Sequence, residues 1–248
     1  MLAHNGYTIV TFDLYSHGRS SQLDNKKNPH NKDLFLSQVH DVIHHEDLPI
    51  KNSKKIILHG FSTGGYLCYR YLIRYYVELH GCCQNGHIVK KVVFQSPWDC
   101  YIDPCIRMLA QIPGLLSLLK PSAMREITSI PALREILTRM DKEMNFSTCM
   151  KNLATFMDNY RDLDDNENKI SFLFITGTRE PPFCRIAKRI RNVLAKKQKQ
   201  LAGKTSIKIY FRLCKKASHM TFVEKTDCSI GNFFREQIKQ FITDTIKD

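Results

Sequence analysis

Several features that define broad classes of protein are missing from this sequence. None of its 9 cysteines belongs to a CxxC pair, and Cys82 and Cys83 are adjacent, so a regular disulfide framework is not indicated. No apolar run is long enough to cross a bilayer, and the first residues lack the long apolar core of a signal peptide. The sequence therefore predicts reduced thiols and a cytoplasmic location.

Acidic residues are scarce relative to basic ones. Asp and Glu number 24 against 37 Lys and Arg, which gives a formal net charge of +13. Such an excess favours contact with acidic surfaces, but no DNA- or RNA-binding motif accompanies it, so we predict no nucleic-acid partner. One face of a predicted helix at residues 183–200 is strongly basic. A solvated face is the favoured interpretation, and peripheral contact with an anionic membrane is the alternative.

Repeats and low-complexity linkers are also absent. The 248 residues suffice for one large domain with a sizeable core. Apolar runs of strand length alternate with stretches of helical spacing, which predicts an α/β fold with a mostly parallel sheet flanked by helices. The predicted strands are residues 7–14, 56–58, 91–96, 170–176 and 206–213, and the predicted helices are residues 32–47, 66–79, 183–200 and 233–246.

One segment interrupts the alternation. Between the third and fourth predicted strands, Leu, Ile and Met recur at helical spacings, and Pro113, Pro121 and Pro131 divide the run into short helices. We interpret this segment as an inserted helical cap. The predicted organisation is thus a first part of the core at residues 1–98, the cap at residues 99–161 and a second part of the core at residues 162–248.

The apolar residues of the cap have two interpretations. They are core residues, or they line the entrance of a substrate site. We expect the cap to lie over the carboxyl ends of the strands, where ligands bind in open α/β sheets. The leucines that would form an apolar channel there are Leu115, Leu116, Leu118 and Leu119.

The most informative stretch is Ile-Ile-Leu-His-Gly-Phe-Ser-Thr-Gly-Gly at residues 56–65. It predicts a buried strand, a sharp turn with Ser62 at its tip, and a helix. Because so sharp a turn strains the backbone of the serine, the residues two positions away must be small, and they are Gly60 and Gly64. Gly65 lets the start of the helix pack close to the sheet. The hydroxyl would point outward at a helix N-terminus, where N–H groups favour developing negative charge.

An acidic residue and a histidine follow two later strands. Glu180 comes just after the predicted strand at residues 170–176, and His219 comes just after the last predicted strand. The order serine, acid, histidine is the one found along α/β-hydrolase chains. Asp99, after an earlier strand, is the second choice for the acid. Three further aspartates precede their strand and are weaker choices: Asp162, Asp164 and Asp165.

With these motifs the sequence resembles α/β-hydrolase fold serine hydrolases of the lipase and esterase kind, including monoacylglycerol-lipase-like members. The loop at residues 13–20 looks like that family's Asp-x-x-Gly-x-Gly-x-Ser turn, with Ser16 replacing the first glycine. The resemblance implies that Ser62 attacks an ester, that His219 transfers the proton and that Glu180 orients His219. It also implies an oxyanion contact from the N–H of Thr63, and neither a cofactor nor a metal.

The chain departs from the family at its start. Relatives have further strands there, and one of them carries a His-Gly loop with a second oxyanion donor. We therefore expect an N-terminally truncated version of the fold, and two alternatives to the ester hydrolase stay open. One is a catalytically impaired scaffold that only binds a ligand or partner. The other is an aminopeptidase or thioesterase of the same fold.

A group of histidines offers a different chemistry. His40, His44 and His45 lie on the predicted helix at residues 32–47, and histidines at positions i and i+4 can hold a metal. This spacing is common by chance. Solvent-facing histidines are therefore the favoured interpretation, and no metal site is predicted.

Overall fold

The computed structural model of the chain describes residues 6–12, 32–52, 55–61, 63–74, 88–96, 146–159, 170–178, 181–201, 207–217 and 229–244. Within them the helices are α1 (Lys32–His44), α2 (Thr63–Leu72), α3 (Phe146–Asn159), α4 (Pro181–Gln200) and α5 (Ser229–Ile242). The strands are β1 (Lys55–Phe61), β2 (Ile88–Gln95), β3 (Ile170–Gly177) and β4 (Ile207–Cys214).

The four strands form one parallel sheet in the order β1-β2-β3-β4. Sequence order and spatial order therefore agree in this part of the fold. Parallel neighbours cannot be joined by a tight hairpin and need crossover connections. Since all four strands run the same way, their carboxyl ends lie along one edge of the sheet and their amino ends along the other. The predicted α/β class with a parallel sheet is confirmed.

The burial of each strand follows from its place in the sheet. In β3 every residue is buried except the half-buried Ser171, as expected for a strand covered on both faces. In β1 burial alternates: Ile56 and Leu58 are buried, whereas Lys55 and His59 are exposed. One face of β1 is therefore packed, whereas on the other face Lys55 and His59 are exposed and Ile57 is half-buried.

Helices cover both faces of the sheet. On one face α1, α2, α3 and α4 share a core cluster with strand residues such as Leu58 and Phe172. On the other face α5 packs Phe234, Ile238 and Phe241 against β3 and β4. These three residues recur at the i, i+4, i+7 spacing of an amphipathic helix, which explains why α5 lies with one side on the sheet.

A row of phenylalanines crosses the sheet within the first core cluster. Phe94 pairs in register with Phe174, and Phe174 with Phe211, so that one aromatic ring from each of three strands lies at the same level. The rings are stacked, with centroids 4.8 Å apart for the first pair and 5.0 Å for the second. Neighbouring side chains on one face of a sheet stabilise strand pairing, and aromatic pairs do so strongly.

The predicted strand at residues 7–14 is wrong over residues 7–12, which the structure describes without strand pairing. A strand needs a neighbour for its backbone N–H and C=O groups, and among the described strands β1 pairs only with β2. The exposure of two apolar residues agrees with this, at 55% for Ile9 and 41% for Phe12. Residues 13 and 14 lie outside the described part of the chain.

The other predicted elements are confirmed with shifted ends. Helix α1 ends at His44, three residues before the predicted end. Strand β2 begins at Ile88 rather than at residue 91. Helix α5 spans Ser229–Ile242 rather than residues 233–246. Of the helix predicted at residues 66–79, residues 75–79 lie outside the described residues.

The end of the segment assigned to the cap contributes to the core. Helix α3 buries Leu153, Phe156 and Met157. The ring of Phe156 lies 6.0 Å from that of Phe172 in β3, and Asp158 pairs with Lys197 of α4 at 2.8 Å. The structure does not describe residues 97–145, which include the four channel leucines, Leu115, Leu116, Leu118 and Leu119. The cap and its channel therefore stay predictions.

Among the described helices, none combines the length and the apolar character needed to cross a membrane.

Candidate active site

The turn from β1 into α2 is as short as the sequence predicts. Strand β1 ends at Phe61 and helix α2 begins at Thr63, so one position, that of Ser62, separates them. Ser62 itself lies outside the described residues. A Cβ atom added to Gly60 would come within 2.2 Å of the Gly64 carbonyl oxygen and 2.5 Å of the Gly65 nitrogen. Only a glycine at position 60 allows the helix to start this close to the strand.

Of the three other residues of the turn, two are glycines and the third is the first residue of α2. A Cβ atom on Gly64 would meet no heavy atom of the described residues within 4 Å, so the need for a small residue shows at Gly60 and not at Gly64. Gly65, in the first turn of α2, is buried. Thr63 is the first residue of α2, and the first N–H groups of a helix have no acceptor within the helix. The N–H of Thr63 is thus a donor at the end of a helix dipole.

Two hydrogen bonds join the residue that follows β3 to the last residue of β4 and to the segment after it. The N–H of Thr178 donates to the Cys214 carbonyl at 3.0 Å, and the N–H of Lys216 donates to the Thr178 hydroxyl oxygen at 2.9 Å. Glu180 and His219, the predicted acid and histidine, follow Thr178 and Lys216 by two and three residues. Both lie outside the described residues, as does Asp99, the second choice for the acid. The described residues that precede Glu180 and His219 in the chain are nevertheless joined to each other by these two hydrogen bonds.

The end of β2 carries an unusual backbone conformation. Ser96 is completely buried, has a φ of 45° and donates its N–H to the Ile175 carbonyl at 2.8 Å. Non-glycine residues with positive φ are uncommon and often lie at functional sites. The strained residue is at the same edge of the sheet as the turn that contains Ser62.

A histidine and a glutamine that sequence analysis missed lie beside this edge. His59 of β1 and Gln95 of β2 are joined by a bond of 2.9 Å between Nε2 and Oε1. Gln95 is buried, and its Nε2 is a buried donor without a partner in the described structure. Desolvation lowers the pKa of His59, while the bond to Gln95 opposes the change. The residue as a whole is nevertheless exposed.

The two histidines of α1, His40 and His44, are partly buried rather than solvent-facing, whereas His45, which follows the helix, is exposed. The rings of His40 and His44 are 4.2 Å apart, and the ring of His40 is 6.5 Å from that of Tyr71 in α2. Within the described stretches no group of three or more His, Cys, Asp or Glu side chains is arranged to hold a metal ion. His40 thus packs between α1 and α2, and His44 packs against His40.

A parallel α/β sheet with a glycine-dependent strand–turn–helix at its carboxyl edge defines the class of the protein as an α/β hydrolase. The comparison with known families agrees, because the model of the alpha/beta hydrolase family matches residues 1–208. The chain belongs to this family. At the family level this supports a hydrolase.

Among the solved structures that the chain matches is MenH from S. aureus, which is 17% identical over 94% of this chain and 82% of that chain, with a TM-score of 0.48. NosK from Streptomyces actuosus is 15% identical over 98% and 89%, with a TM-score of 0.49. A lipase-esterase related protein from Clostridium acetobutylicum is 15% identical over 94% and 82%, with a TM-score of 0.41. Likenesses at this level carry no argument about function. No curated protein matches the chain.

Proposed function

We propose that the chain is a serine hydrolase that cleaves carboxylic esters, with Ser62 as nucleophile, His219 as proton carrier and Glu180 as the residue that orients His219. The observation that carries this proposal is the contact at Gly60. A Cβ atom there would lie 2.2 Å from the backbone of Gly64, which is the close approach that a nucleophile turn requires.

The proposed reaction needs only side chains and backbone N–H groups. The Ser62 hydroxyl oxygen attacks the ester carbonyl while His219 takes its proton. The N–H of Thr63 donates to the oxyanion that forms. When the intermediate collapses, the alcohol leaves with the proton from His219, and the acyl group stays on Ser62. A water molecule activated by His219 then releases the acid and restores the serine.

The topology of the sheet supports this assignment of roles. The three residues follow β1, β3 and β4, whose carboxyl ends share one edge because the sheet is parallel. The turns before Glu180 and His219 are joined through Thr178, and β3 and β4 are adjacent. An acid after β3 is therefore better placed to reach His219 than Asp99, which follows β2.

The experiment that tests the proposal is labelling with a fluorophosphonate probe. The folded chain should be labelled, and the label should map to Ser62. The variant Ser62→Ala removes only a hydroxyl, so it should fold and stay unlabelled. Absence of labelling in the folded wild-type chain would reject a serine hydrolase of any substrate class.

The substrate class that we propose is an ester of an apolar acyl group, such as a lipid. Its support is the leucine-rich segment at residues 99–161, which we propose to be a cap over the site with Leu115, Leu116, Leu118 and Leu119 in an acyl channel. Turnover of p-nitrophenyl esters should then rise from acetate to longer chains. Kinetics on acyl-glycerol, thioester and aminoacyl substrates would separate an esterase from a thioesterase or an aminopeptidase.

A second candidate function is a scaffold that binds a ligand without turnover. The observation that favours it is that residues 7–12 form no strand in the described structure, so that β1 pairs on one side only. In addition, Thr63 supplies the one oxyanion donor that we can assign, and loss of a donor typically lowers the rate about 10²–10³-fold. Robust esterase activity that depends on Ser62 would exclude this candidate.

We further propose that the protein works in the cytoplasm on a small-molecule or lipid ester and that any contact with an anionic membrane is peripheral. The surface for such a contact is α4. Among its residues from 188 on, whose side chains the structure describes, the exposed cationic ones are Lys188, Arg189, Arg191, Lys196 and Lys199.

A further inference from the structure

Strand β4 is an outer strand of the described sheet. It pairs with β3 over all eight of its residues, and none of the other described strands pairs with it. In β3 every residue but one is buried, whereas six of the eight residues of β4 are half-buried or exposed, and Lys208 and Leu213 are exposed. An outer strand presents a row of backbone N–H and C=O groups to which another strand can pair. We call the side of β4 away from β3 its outer side.

The side chains of β4 alternate between the two faces of the sheet. Ile209 and Phe211 pack against the core cluster that includes α4. Arg212 is on the face of α5, because it donates to the Gln237 side chain at 3.0 Å, and it also donates to the Phe211 carbonyl at 3.1 Å. Lys208, four positions before Arg212, is on the same face. A strand added to β4 would therefore meet an apolar row on one face and two cations on the other.

The charge around the outer side of β4 is positive. Between Glu180 and Glu224 the sequence contains no Asp or Glu. Helix α5, on the adjoining face, has one carboxylate, Glu236, which accepts a bond from the Gln240 side chain at 3.3 Å. The exposed cations of β4 and of the described residues just after it are Lys208, Lys215 and Lys216. This surface favours an acidic partner.

The same charges disfavour a second copy of the chain as the added strand. In an antiparallel pair of two β4 strands centred on Tyr210, Lys208 of one copy would lie opposite Arg212 of the other, and like charges that lie directly opposite are destabilising. Each copy also carries a net charge of +13, so the two chains repel each other. A strand with carboxylates on the face of α5 would meet cations instead.

We propose that the outer side of β4 binds an extended acidic segment of a partner protein, which joins the sheet as a further strand. In this mode of recognition the main-chain hydrogen bonds give affinity and the alternate side chains give specificity. The sequence that fits alternates apolar and acidic residues. Its apolar side chains would continue the row of stacked rings that reaches Phe211, and its carboxylates would lie near Lys208 and Arg212. The proposal does not depend on ester hydrolysis.

The test is an NMR titration of the isotope-labelled full chain with an acetylated and amidated eight-residue peptide of alternating Val and Glu. Wild type should bind, and the largest changes in amide shift should lie in β4. The same peptide with N-methyl groups on its four central amides keeps the charges but loses donors for strand pairing. It should bind at least about tenfold more weakly. No binding of the first peptide, or equal binding of both, would overturn the proposal.

A charge reversal on β4 locates the site. Lys208 is exposed, so Lys208→Glu should fold, and it should bind the peptide at least about tenfold more weakly than wild type. The matched control is Lys55→Glu, the same change at an exposed position of β1, the outer strand at the other end of the described sheet. Its affinity should stay within about twofold of wild type. Ser62→Ala should bind like wild type. Equal losses in the two lysine variants would overturn the proposal, because β1 or net charge would then direct the binding.

Hydrogen exchange of the chain without peptide tests the other occupants. Alternate residues of a strand direct their N–H groups to opposite sides, so about half of the amides of β4 should exchange rapidly in the monomer and slowly in the complex. Slow exchange of all of them in the monomer would show that another part of the chain covers the outer side of β4. Slow exchange that accompanies dimer formation would show that a second copy covers it. Either result would overturn the proposal.

Discussion

Gly60 is the residue that decides how closely β1 and α2 can approach. Any side chain there would collide with backbone atoms of Gly64 and Gly65, and backbone cannot move aside as the end of a flexible side chain can. We expect Gly60→Ala to lower the free energy of unfolding by about 3 kcal/mol or more and to abolish labelling of Ser62. Urea unfolding and the fluorophosphonate probe would measure the two effects.

Gly64, two residues beyond Ser62, provides the control for Gly60. At Gly64 an added Cβ atom meets nothing among the described residues, and the residue lies in the first turn of α2. Alanine in a helix is favoured over glycine by about 0.5–1 kcal/mol, so Gly64→Ala should unfold at the same or a slightly higher urea concentration. Similar losses in both variants would mean that the contact at Gly60 does not limit the turn.

Thr178 is a positioning residue in the proposed mechanism. Its hydroxyl accepts the Lys216 N–H and so ties the turn before His219 to the turn before Glu180. Thr178→Val keeps the shape but removes the acceptor, and a misplaced catalytic group typically costs ten- to roughly a hundredfold in rate. We expect kcat on esters to fall by about that factor with little change in KM. Thr178→Ser keeps the hydroxyl and should retain most of the activity, whereas equal rates in all three proteins would exclude the role.

His59 should make stability depend on pH. Desolvation lowers its pKa below the ordinary 6.5, against the opposing bond to Gln95. As the pH falls below 6.5, the unfolded chain then binds more protons than the folded chain, and the free energy of unfolding decreases. Above this pH His59 is neutral in both states, and it does not lower the free energy of unfolding. Urea unfolding on both sides of this pH should show a shallower decrease for His59→Asn than for wild type. Parallel curves would show that His59 makes no contribution.

At the scale of elements, the phenylalanine row is the feature whose loss should lower the free energy of unfolding most. Phe174 is 4% exposed and stacks on a ring from each neighbouring strand. Phe174→Ala would leave a cavity between three strands and should lower the free energy of unfolding by about 3–5 kcal/mol. The control Phe233→Ala removes the same side chain from a position that is 44% exposed, and it should change stability by about 0.5 kcal/mol or less. Both values come from denaturant unfolding.

The alternation of strands and helices could be predicted because it depends on local patterns. The period of apolar residues distinguishes β3 from α4 without reference to any partner. The prediction failed at residues 7–12, where the apolar pattern is that of a strand but the described structure offers no paired neighbour. Strand formation depends on a second strand, and a local pattern does not contain that information.

The same distinction applies to the candidate site. The turn between β1 and α2 is contiguous in sequence, so its glycines and the position of Ser62 could be predicted from ten residues. The bond between His59 and Gln95 joins residues 36 positions apart, and that between Lys216 and Thr178 joins residues 38 positions apart. Such contacts follow from strand order and register. The β-bulge at Lys90 shifts the register of β1 against β2, and no signal for it was found in the sequence.

At the scale of the whole molecule, the net charge of +13 is unevenly distributed. Helix α4 presents exposed cations on one side, while its apolar residues Ile190 and Leu194 are buried in the core. Val193, at 38%, is the one large apolar side chain of α4 that is exposed among those described. Helices that insert into a membrane interface need an apolar face that is free for the lipid. In α4 that face is already occupied by the sheet.

Membrane contact through α4 should therefore be electrostatic and sensitive to salt. Each Lys or Arg near an anionic surface contributes about 1 kcal/mol, and at about 0.15 M salt charges are screened within about 8 Å. We expect cosedimentation with phosphatidylserine-containing vesicles at low ionic strength and release at physiological ionic strength. Arg191→Glu with Lys196→Glu should weaken the low-salt binding more than Lys55→Glu with Lys208→Glu, which makes the same total change in charge on other elements. Retention at physiological salt would show that an apolar surface inserts into the bilayer, and equal effects of the two double variants would show that net charge rather than α4 directs the contact.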